Sequence, residues 1–255
     1  MLKRALLFAA AAALALPLAA ANAAPADVAA AVSGPGRPAE AVALDAGRRP
    51  AEILAFMGLR RGDRALDLMT GSGYYAELMA RAVGPTGSAF AWEPANFLNA
   101  DSRAGLDAIK TRSPNVSWFA APADALALPE RAYDFAMINL NYHDTYWQSE
   151  RYHFPRMDPN AFLRTVFQSL KPGGTILVID HVANAGGDTR AVVDALHRID
   201  PATIRADFER AGFVFAGESN VLRNPEDDHT KLVFDPSIRG HTDRVAYRFR
   251  RPRGR

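Results

Sequence analysis

Ala65-Leu66-Asp67-Leu68-Met69-Thr70-Gly71-Ser72-Gly73-Tyr74-Tyr75 is the stretch on which the fold turns. Ala65 to Met69 reads as a short apolar strand interrupted by one acid, Asp67; Gly71 to Gly73 is a turn; Tyr74 to Val83 then carries Leu78, Met79 and Ala82 at helical spacing. Glycines in such a turn permit positive φ and let a ligand approach the backbone, and the free N–H groups of the following helix start favour a negatively charged ligand group. Twenty residues beyond Gly73, Glu93 closes the next strand, Ser88 to Trp92. An acid there can accept hydrogen bonds from both hydroxyls of a ribose lying across the sheet edge, where ligands of α/β proteins usually bind.

Working outward, Pro50 opens a helix carrying Ile53, Leu54 and Met57, and a helical stretch near Leu98 to Lys110 precedes a strand at Val116 to Phe119. A strand at Tyr133 to Leu140 follows, then an aromatic loop, a helix at Ala161 to Leu170, a turn at Lys171-Pro172-Gly173-Gly174 and a very apolar strand at Thr175 to Ile179. Alternating strands and helices with buried-looking strands imply a parallel sheet covered on both faces, a doubly wound α/β fold. Phe213 to Gly217 and Arg244 to Phe249 are expected to add antiparallel edge strands.

Two cofactor classes fit the turn by its residues alone, because Gly71-Ser72-Gly73-Tyr74-Tyr75-Ala76 also satisfies the G-x-G-x-x-A form of a dinucleotide fingerprint. Asp67 separates them: a carboxylate four residues before Gly71 would repel a pyrophosphate but helps to hold a cationic amino group.

These residues resemble the class I S-adenosylmethionine-dependent methyltransferases, whose first motif reads acid-x-G-x-G-x-G. Asp67, Gly71 and Gly73 match it, with Met69 in place of the first glycine. Glu93 takes the ribose position. Asp124, in Ala121-Pro122-Ala123-Asp124, takes the place of an acid that binds the adenine amino group, and Leu170 to Gly174 matches a further family hallmark. The resemblance covers about Arg49 to Ile179. It implies a Rossmann-like, mostly parallel seven-stranded sheet, S-adenosylmethionine as cofactor, and Asp67, Gly71, Gly73, Glu93 and Asp124 as cofactor-binding residues. The alternative is a non-catalytic module that uses the same cleft for another nucleoside-like ligand.

The family's acceptor side lies past the fourth strand, here Asn139-Leu140-Asn141-Tyr142-His143-Asp144. Asn141 is expected to orient an acceptor through its amide and His143 to act as base, its ordinary pKa of about 6.5 suiting proton transfer near neutrality. Either residue also reads as an ordinary loop residue. Tyr146, Trp147, Tyr152, His153 and Phe154 suit an apolar acceptor pocket or a lid, and equally a loop packed on the core. His181 and His197, the latter read within a helical stretch, are expected to be structural. The histidines show no metal-ligand spacing such as H-x-x-x-H, so no metal is expected.

Composition bounds the rest. The 30 basic and 28 acidic residues differ by Lys3 and Arg4; the remainder balances, so no basic field invites nucleic acid. The chain has no cysteine, which excludes a thiol nucleophile and thiolate-held metals. Residues 1–23 read as a signal peptide: a basic start, an apolar run from Ala5 to Ala20, and Ala21-Asn22-Ala23 as a cleavage site. The run would span about 24 Å as helix, short of the roughly 30 Å of hydrocarbon, so a periplasmic or secreted protein without stable membrane insertion is expected. Residues 24–47 read as a linker and 48–255 as the domain, acting on a small-molecule or lipid-like substrate. The signal peptide, the Asn-Tyr-His-Asp stretch and Leu222 to Arg244 together resemble small exported bacterial proteins described as predicted methyltransferases. The arginines at 248, 250, 251, 253 and 255 read as a basic tail.

Overall fold

The computed structural model describes residues 24–254; the signal-peptide reading of residues 1–23 lies outside them. The order of elements is α1 (Val28–Ser33), α2 (Ala39–Ala43), α3 (Asp45–Arg48), α4 (Pro50–Met57), β1 (Arg64–Leu68), α5 (Tyr74–Val83), β2 (Ser88–Pro94), α6 (Ala100–Arg112), β3 (Val116–Ala121), β4 (Tyr133–Asn139), α7 (Pro159–Ser169), β5 (Leu170–His181), α8 (Thr189–Leu196), α9 (Pro201–Arg210), β6 (Val214–Ser219) and β7 (Arg244–Arg250). The strands form one seven-stranded sheet in the order β3-β2-β1-β4-β5-β7-β6. β1 to β5 are parallel, and β7 runs antiparallel between β5 and β6. This is the Rossmann-like, doubly wound sheet expected, with the two late segments forming its antiparallel edge.

The period of two along each strand divides the core. Leu66 and Leu68 of β1, Ala136 and Ile138 of β4, and Ile176 and Val178 of β5 pack with Phe162, Leu163 and Val166 of α7 and Ile204 and Phe208 of α9. Their alternates Ala65, Phe135, Met137, Leu177 and Ile179 pack on the other face with Ile53 and Leu54 of α4 and Tyr75, Leu78 and Met79 of α5. β1 leads to β2 on one side while β4 lies on its other side, so the strand order reverses between β1 and β4. Their carboxyl ends therefore flank the crevice in which open α/β sheets hold ligands.

Residues 24–47, expected as a linker, instead fold against the sheet's first layer as three short helices. Asp27 caps α1 through the Ala30 N–H, and Ala31 is buried. The Asp27 N–H donates to the Ala82 carbonyl, and Arg37 pairs with Asp45 at 2.6 Å. Tyr74 and Tyr75 of α5 donate to the Asp45 carboxylate (2.6 Å) and the Arg48 carbonyl (3.2 Å), so the segment is held by the helix that follows the glycine turn. Its Ala-, Pro- and Gly-rich composition hides these anchors because they are supplied by residues distant in sequence.

The arginine-rich C-terminus is likewise not a free tail. Arg248 and Arg250 lie in β7, Arg248 donates to the Phe56 carbonyl, and Arg251 donates to the carbonyls of Phe167, Gln168 and Leu170. Among the described residues, no helix is long and apolar enough to cross a membrane.

Candidate active site

The glycine turn closes through its own backbone. Gly73 N–H donates to the Thr70 carbonyl, and Thr70 N–H to that of Trp92 at the end of β2. Gly71 and Gly73 both adopt positive φ, 58° and 76°. A Cβ on Gly73 would lie 2.4 Å from Ile109 Cδ1, so this glycine is required by the packing of α6 on the turn. A Cβ on Gly71 would meet nothing within 4 Å, because Gly71 faces the main cavity. Met69 occupies the family's glycine position with φ 52°; its side chain joins the core beside Leu66, Leu68 and Trp92 and borders the cavity without filling it.

That cavity, about 670 Å³, lies at the carboxyl ends of β1 and β4 and falls within the size range of small-molecule and cofactor sites. Asp67, Gly71, Asn141 and His143 line it, as expected of one site. Glu93 sits just behind the turn: one carboxylate oxygen accepts the Gly71 N–H at 2.7 Å, and the other accepts from no described residue. Asp124 does not share the cavity; it is exposed in the 3-10 turn Ala123–Ala125 and borders a separate hollow with Arg156 and Phe162.

Asp67 is buried and accepts the Thr70 hydroxyl at 2.6 Å. Burial pushes its carboxyl up to about 7, with the negative charge of Glu93 adding to the rise; the Thr70 hydroxyl, the Ala76 N–H and Arg48 oppose it. Burial also pushes Glu93 up to about 7, against the Gly71 N–H and with Asp144 adding repulsion. Asp67 at one end of the cavity and Glu93 behind the turn therefore both titrate close to neutrality, and a cation placed beside them would favour their ionised forms. Arg48 lines the same end, its guanidinium 4.4 Å from the centre of the Tyr74 ring, a lining residue that no sequence motif marked.

At the other end, the 3-10 turn His143–Thr145 follows β4. His143 Nδ1 lies 2.7 Å from Oδ1 of Asp180, the penultimate residue of β5, whose Oδ2 accepts the His143 backbone N–H at 2.8 Å. Asp180 Oδ1 also accepts the His181 N–H. Asp180, fully buried, thus fixes both the backbone and the ring of His143, and the ring's Nε2 is directed toward Asp144 (3.4 Å) and His197 (3.3 Å). Burial disfavours charge on the imidazole, but Asp180 and Asp144 outweigh it and raise its pKa to about 9. The two carboxylates thus make this ring more basic than an ordinary imidazole. The Asn141 amide, expected to orient an acceptor, donates to Asp144 Oδ2 at 3.0 Å and so fixes that carboxylate.

His181 and His197, expected to be structural, both line the cavity. His197 is not within a helix: it caps α8 with φ 50°, and that left-handed backbone turns its ring toward His143. Met69, Leu140 and His197 are three non-glycine residues held at positive φ around this one cavity. Backbone strain of this kind collects where function requires an otherwise costly geometry. Asp180 is the site residue that sequence reading most plainly missed. Its signal was its position: like Glu93, it is an acid at the carboxyl end of a strand.

Aromatic and aliphatic side chains close the mouth. Phe97 stacks on Phe154 (4.8 Å between ring centres), Trp147 lies 5.1 Å from the His197 ring, and Leu232, Val233 and Phe234 arrive from the segment between β6 and β7. The loop after β4 therefore does both things its composition permitted: Phe154 is buried on the core while Trp147 and Tyr152 line the cavity.

Known proteins resemble this chain in sequence and fold. A family model described as protein-L-isoaspartate(D-aspartate) O-methyltransferase matches residues 41–124. The chain is 27% identical over 144 residues to a ubiquinone/menaquinone biosynthesis C-methyltransferase of Pasteurella multocida, covering 56% of this chain and 46% of that protein. It thus spans less than half the length of that curated relative. Among solved structures, an S-adenosylmethionine-dependent methyltransferase from Aquifex aeolicus superposes with a TM-score of 0.56 at 17% identity, covering 85% of this chain and 99% of its own. The [4+2]-cyclase SpnF superposes at 0.60 with 20% identity, covering 82% of each chain. The structural likenesses show a shared fold, and the sequence matches are to methyltransferases.

Proposed function

We propose that this chain is an S-adenosylmethionine-dependent methyltransferase acting on a small-molecule or lipid-like acceptor. One observation carries the reading: a single cavity joins the glycine turn after β1 to the His143 centre after β4. At the turn, Asp67 and Arg48 offer opposite charges within one end of the cavity, complementary to the ammonium and carboxylate of an amino acid such as the methionine half of the cofactor. Gly71 leaves room beside the backbone, and the unpartnered oxygen of Glu93 suits a ribose hydroxyl. When bound, the cofactor supplies an electrophilic methyl group on a sulfonium sulfur.

The protein's part is to orient the acceptor, exclude water and receive or direct its proton. His143, held by Asp180, stands at the acceptor end. Tyr152, Leu232 and Phe234 are large apolar side chains that line the cavity yet are 49%, 39% and 52% exposed, which forms an apolar rim suited to an acceptor with an apolar body. The comparison with a quinone-biosynthesis C-methyltransferase is in keeping with such an acceptor.

Calorimetry with S-adenosylmethionine and S-adenosylhomocysteine tests the reading. Wild type is expected to bind both, and Asp67→Asn and Glu93→Ala to weaken binding by about tenfold to a hundredfold, the loss typical of a hydrogen bond to a charged group. Folded wild-type protein that takes up neither ligand removes the proposal. Export belongs to the same reading, and sequencing the N-terminus of the mature protein checks it: a start near Ala24 is expected.

A further inference from the structure

His143, Asp144 and His197 bring one donor atom each within 3.8 Å of the other two, beside the cavity. His143 Nε2 to His197 Nδ1 is 3.3 Å, His143 Nε2 to Asp144 Oδ1 is 3.4 Å, and His197 Nδ1 to Asp144 Oδ1 is 3.8 Å. A tetrahedral centre with the zinc–nitrogen and zinc–oxygen bonds of about 2.0–2.1 Å has ligand–ligand edges of about 3.3–3.4 Å, which two of these separations match and the third exceeds by about 0.4 Å. Edges of this length belong to a tetrahedral set; one face of an octahedron with bonds of about 2.1 Å has edges near 3.0 Å. The donors, two imidazoles and one carboxylate, suit a divalent transition metal.

The supports behind these atoms have the pattern of a metal centre. Asp180 holds His143 Nδ1 at 2.7 Å, which makes that nitrogen the donor and leaves Nε2 as the ligand atom. Carboxylate–histidine pairs of this kind orient metal-bound imidazoles. Asn141 holds the other oxygen of Asp144 at 3.0 Å. His197 is brought into place by a left-handed backbone that a β-carbon disfavours. His143 and Asp144 are buried, so this is not an exposed acidic cluster.

We propose that His143 Nε2, Asp144 Oδ1 and His197 Nδ1 form a site for one tetrahedrally coordinated divalent ion of the zinc type, its fourth position open to the cavity. This assignment replaces the sequence expectation that no metal is bound. Spacing could not have revealed the site, because His143 and His197 are 54 residues apart and converge only through the turns after β4 and α8. Its catalytic use rests on the methyltransferase reading. An acceptor hydroxyl bound at the open position would release its proton to solvent, and its oxygen would then form the new bond to the methyl carbon. The S–CH3 bond breaks with its electron pair staying on sulfur, so the cofactor leaves as neutral S-adenosylhomocysteine.

The test reads metal alone, without cofactor or acceptor. Purified protein free of any histidine tag is stripped with a chelator and titrated with Co2+, followed by visible absorption, and with Zn2+, followed by calorimetry. One Co2+ per chain is expected, with the intense d–d bands of tetrahedral coordination, displaced by Zn2+. Asp180→Asn is expected to lower affinity about tenfold to a hundredfold. His197→Ala, and the near-isosteric Asp144→Asn, should abolish the bands while the circular dichroism and thermal transition of the folded chain persist. Absence of stoichiometric binding of either ion to wild type overturns the proposal, as does binding that survives both substitutions, which would leave only a direct hydrogen bond between His143 and His197. Loss of cofactor binding in wild type would strike the methyltransferase reading and leave the metal result standing.

Discussion

Asp67 and Glu93 show how one environment sets both stability and affinity. Ordinary carboxyls titrate near pH 4 in the unfolded chain, whereas burial holds both of these near 7 in the fold. Between those values the folded, ligand-free protein binds more protons than the unfolded chain, so stability falls as pH rises from about 4 to about 7 and the loss persists above it. Asp67→Asn removes one ionising group while its side-chain oxygen can still accept from Thr70. We expect this variant to melt higher than wild type at pH 8, with a flatter dependence of Tm on pH between 4 and 7. A cationic ligand beside Asp67 and Glu93 has the opposite linkage, since it favours the carboxylates. Groups facing them, namely Thr70, Arg48, Asp144 and the Gly71 and Ala76 N–H groups, are present in both states. Binding of S-adenosylmethionine at pH 6 is therefore expected to release protons and to tighten as pH rises through 7. Calorimetry in buffers of different ionisation enthalpy reads this directly; equal heats in all buffers would refute the assignment of Asp67.

The turn between β1 and α5 separates two uses of glycine that look alike in sequence. Gly73 is pressed against Ile109 of α6, and Gly71 opens on the cavity. Both sit at positive φ, so alanine strains either backbone by about 1 kcal/mol. At Gly73 the added methyl group also overpacks the contact with α6, costing a further 1–3 kcal/mol or so. Gly73→Ala should thus unfold at clearly lower denaturant than Gly71→Ala. Gly71→Ala should remain well folded yet lose cofactor affinity, because its methyl group occupies ligand space. Urea titrations paired with calorimetry check both, and an equal loss of stability in the two variants would contradict the packing described. The G-x-G pattern was legible before the structure; the division of labour within it was not, since it depends on a helix about 35 residues further along the chain.

Across the molecule, the segment between β6 and β7 is pinned to the sheet by a buried ion pair. Arg198 is fully buried, donates to Asp227 at 2.8 and 3.0 Å, and bonds the carbonyls of Val182 and Lys231. Lys231 immediately precedes Leu232, Val233 and Phe234 on the cavity wall, so the pair carries the wall to the site. Removing one partner leaves a buried charge uncompensated, typically at a cost of about 3–5 kcal/mol. Asp227→Ala is expected to lower Tm by several degrees and also to weaken ligand binding, the second effect arising because the wall loses its anchor. Thermal melts with and without S-adenosylhomocysteine measure both; an unchanged Tm would show that the pair does not hold the segment. Arg198 and Asp227 carry no motif, and the sequence places them 29 residues apart.

By itself the amino-acid sequence determined the alternation of strands and helices, the antiparallel edge and the position of the glycine turn with its acids. These features depend on local propensity and hydrophobic period, which neighbouring residues set. Only the tertiary structure decided that residues 24–47 are packed, that Asp124 lies outside the main cavity, and that Asp180, His181 and His197 gather around His143. Those outcomes depend on which distant backbones meet at the carboxyl ends of β1, β4 and β5, and on buried partners whose charges move a pKa or orient a ring. Such long-range contacts leave no periodic trace in the chain.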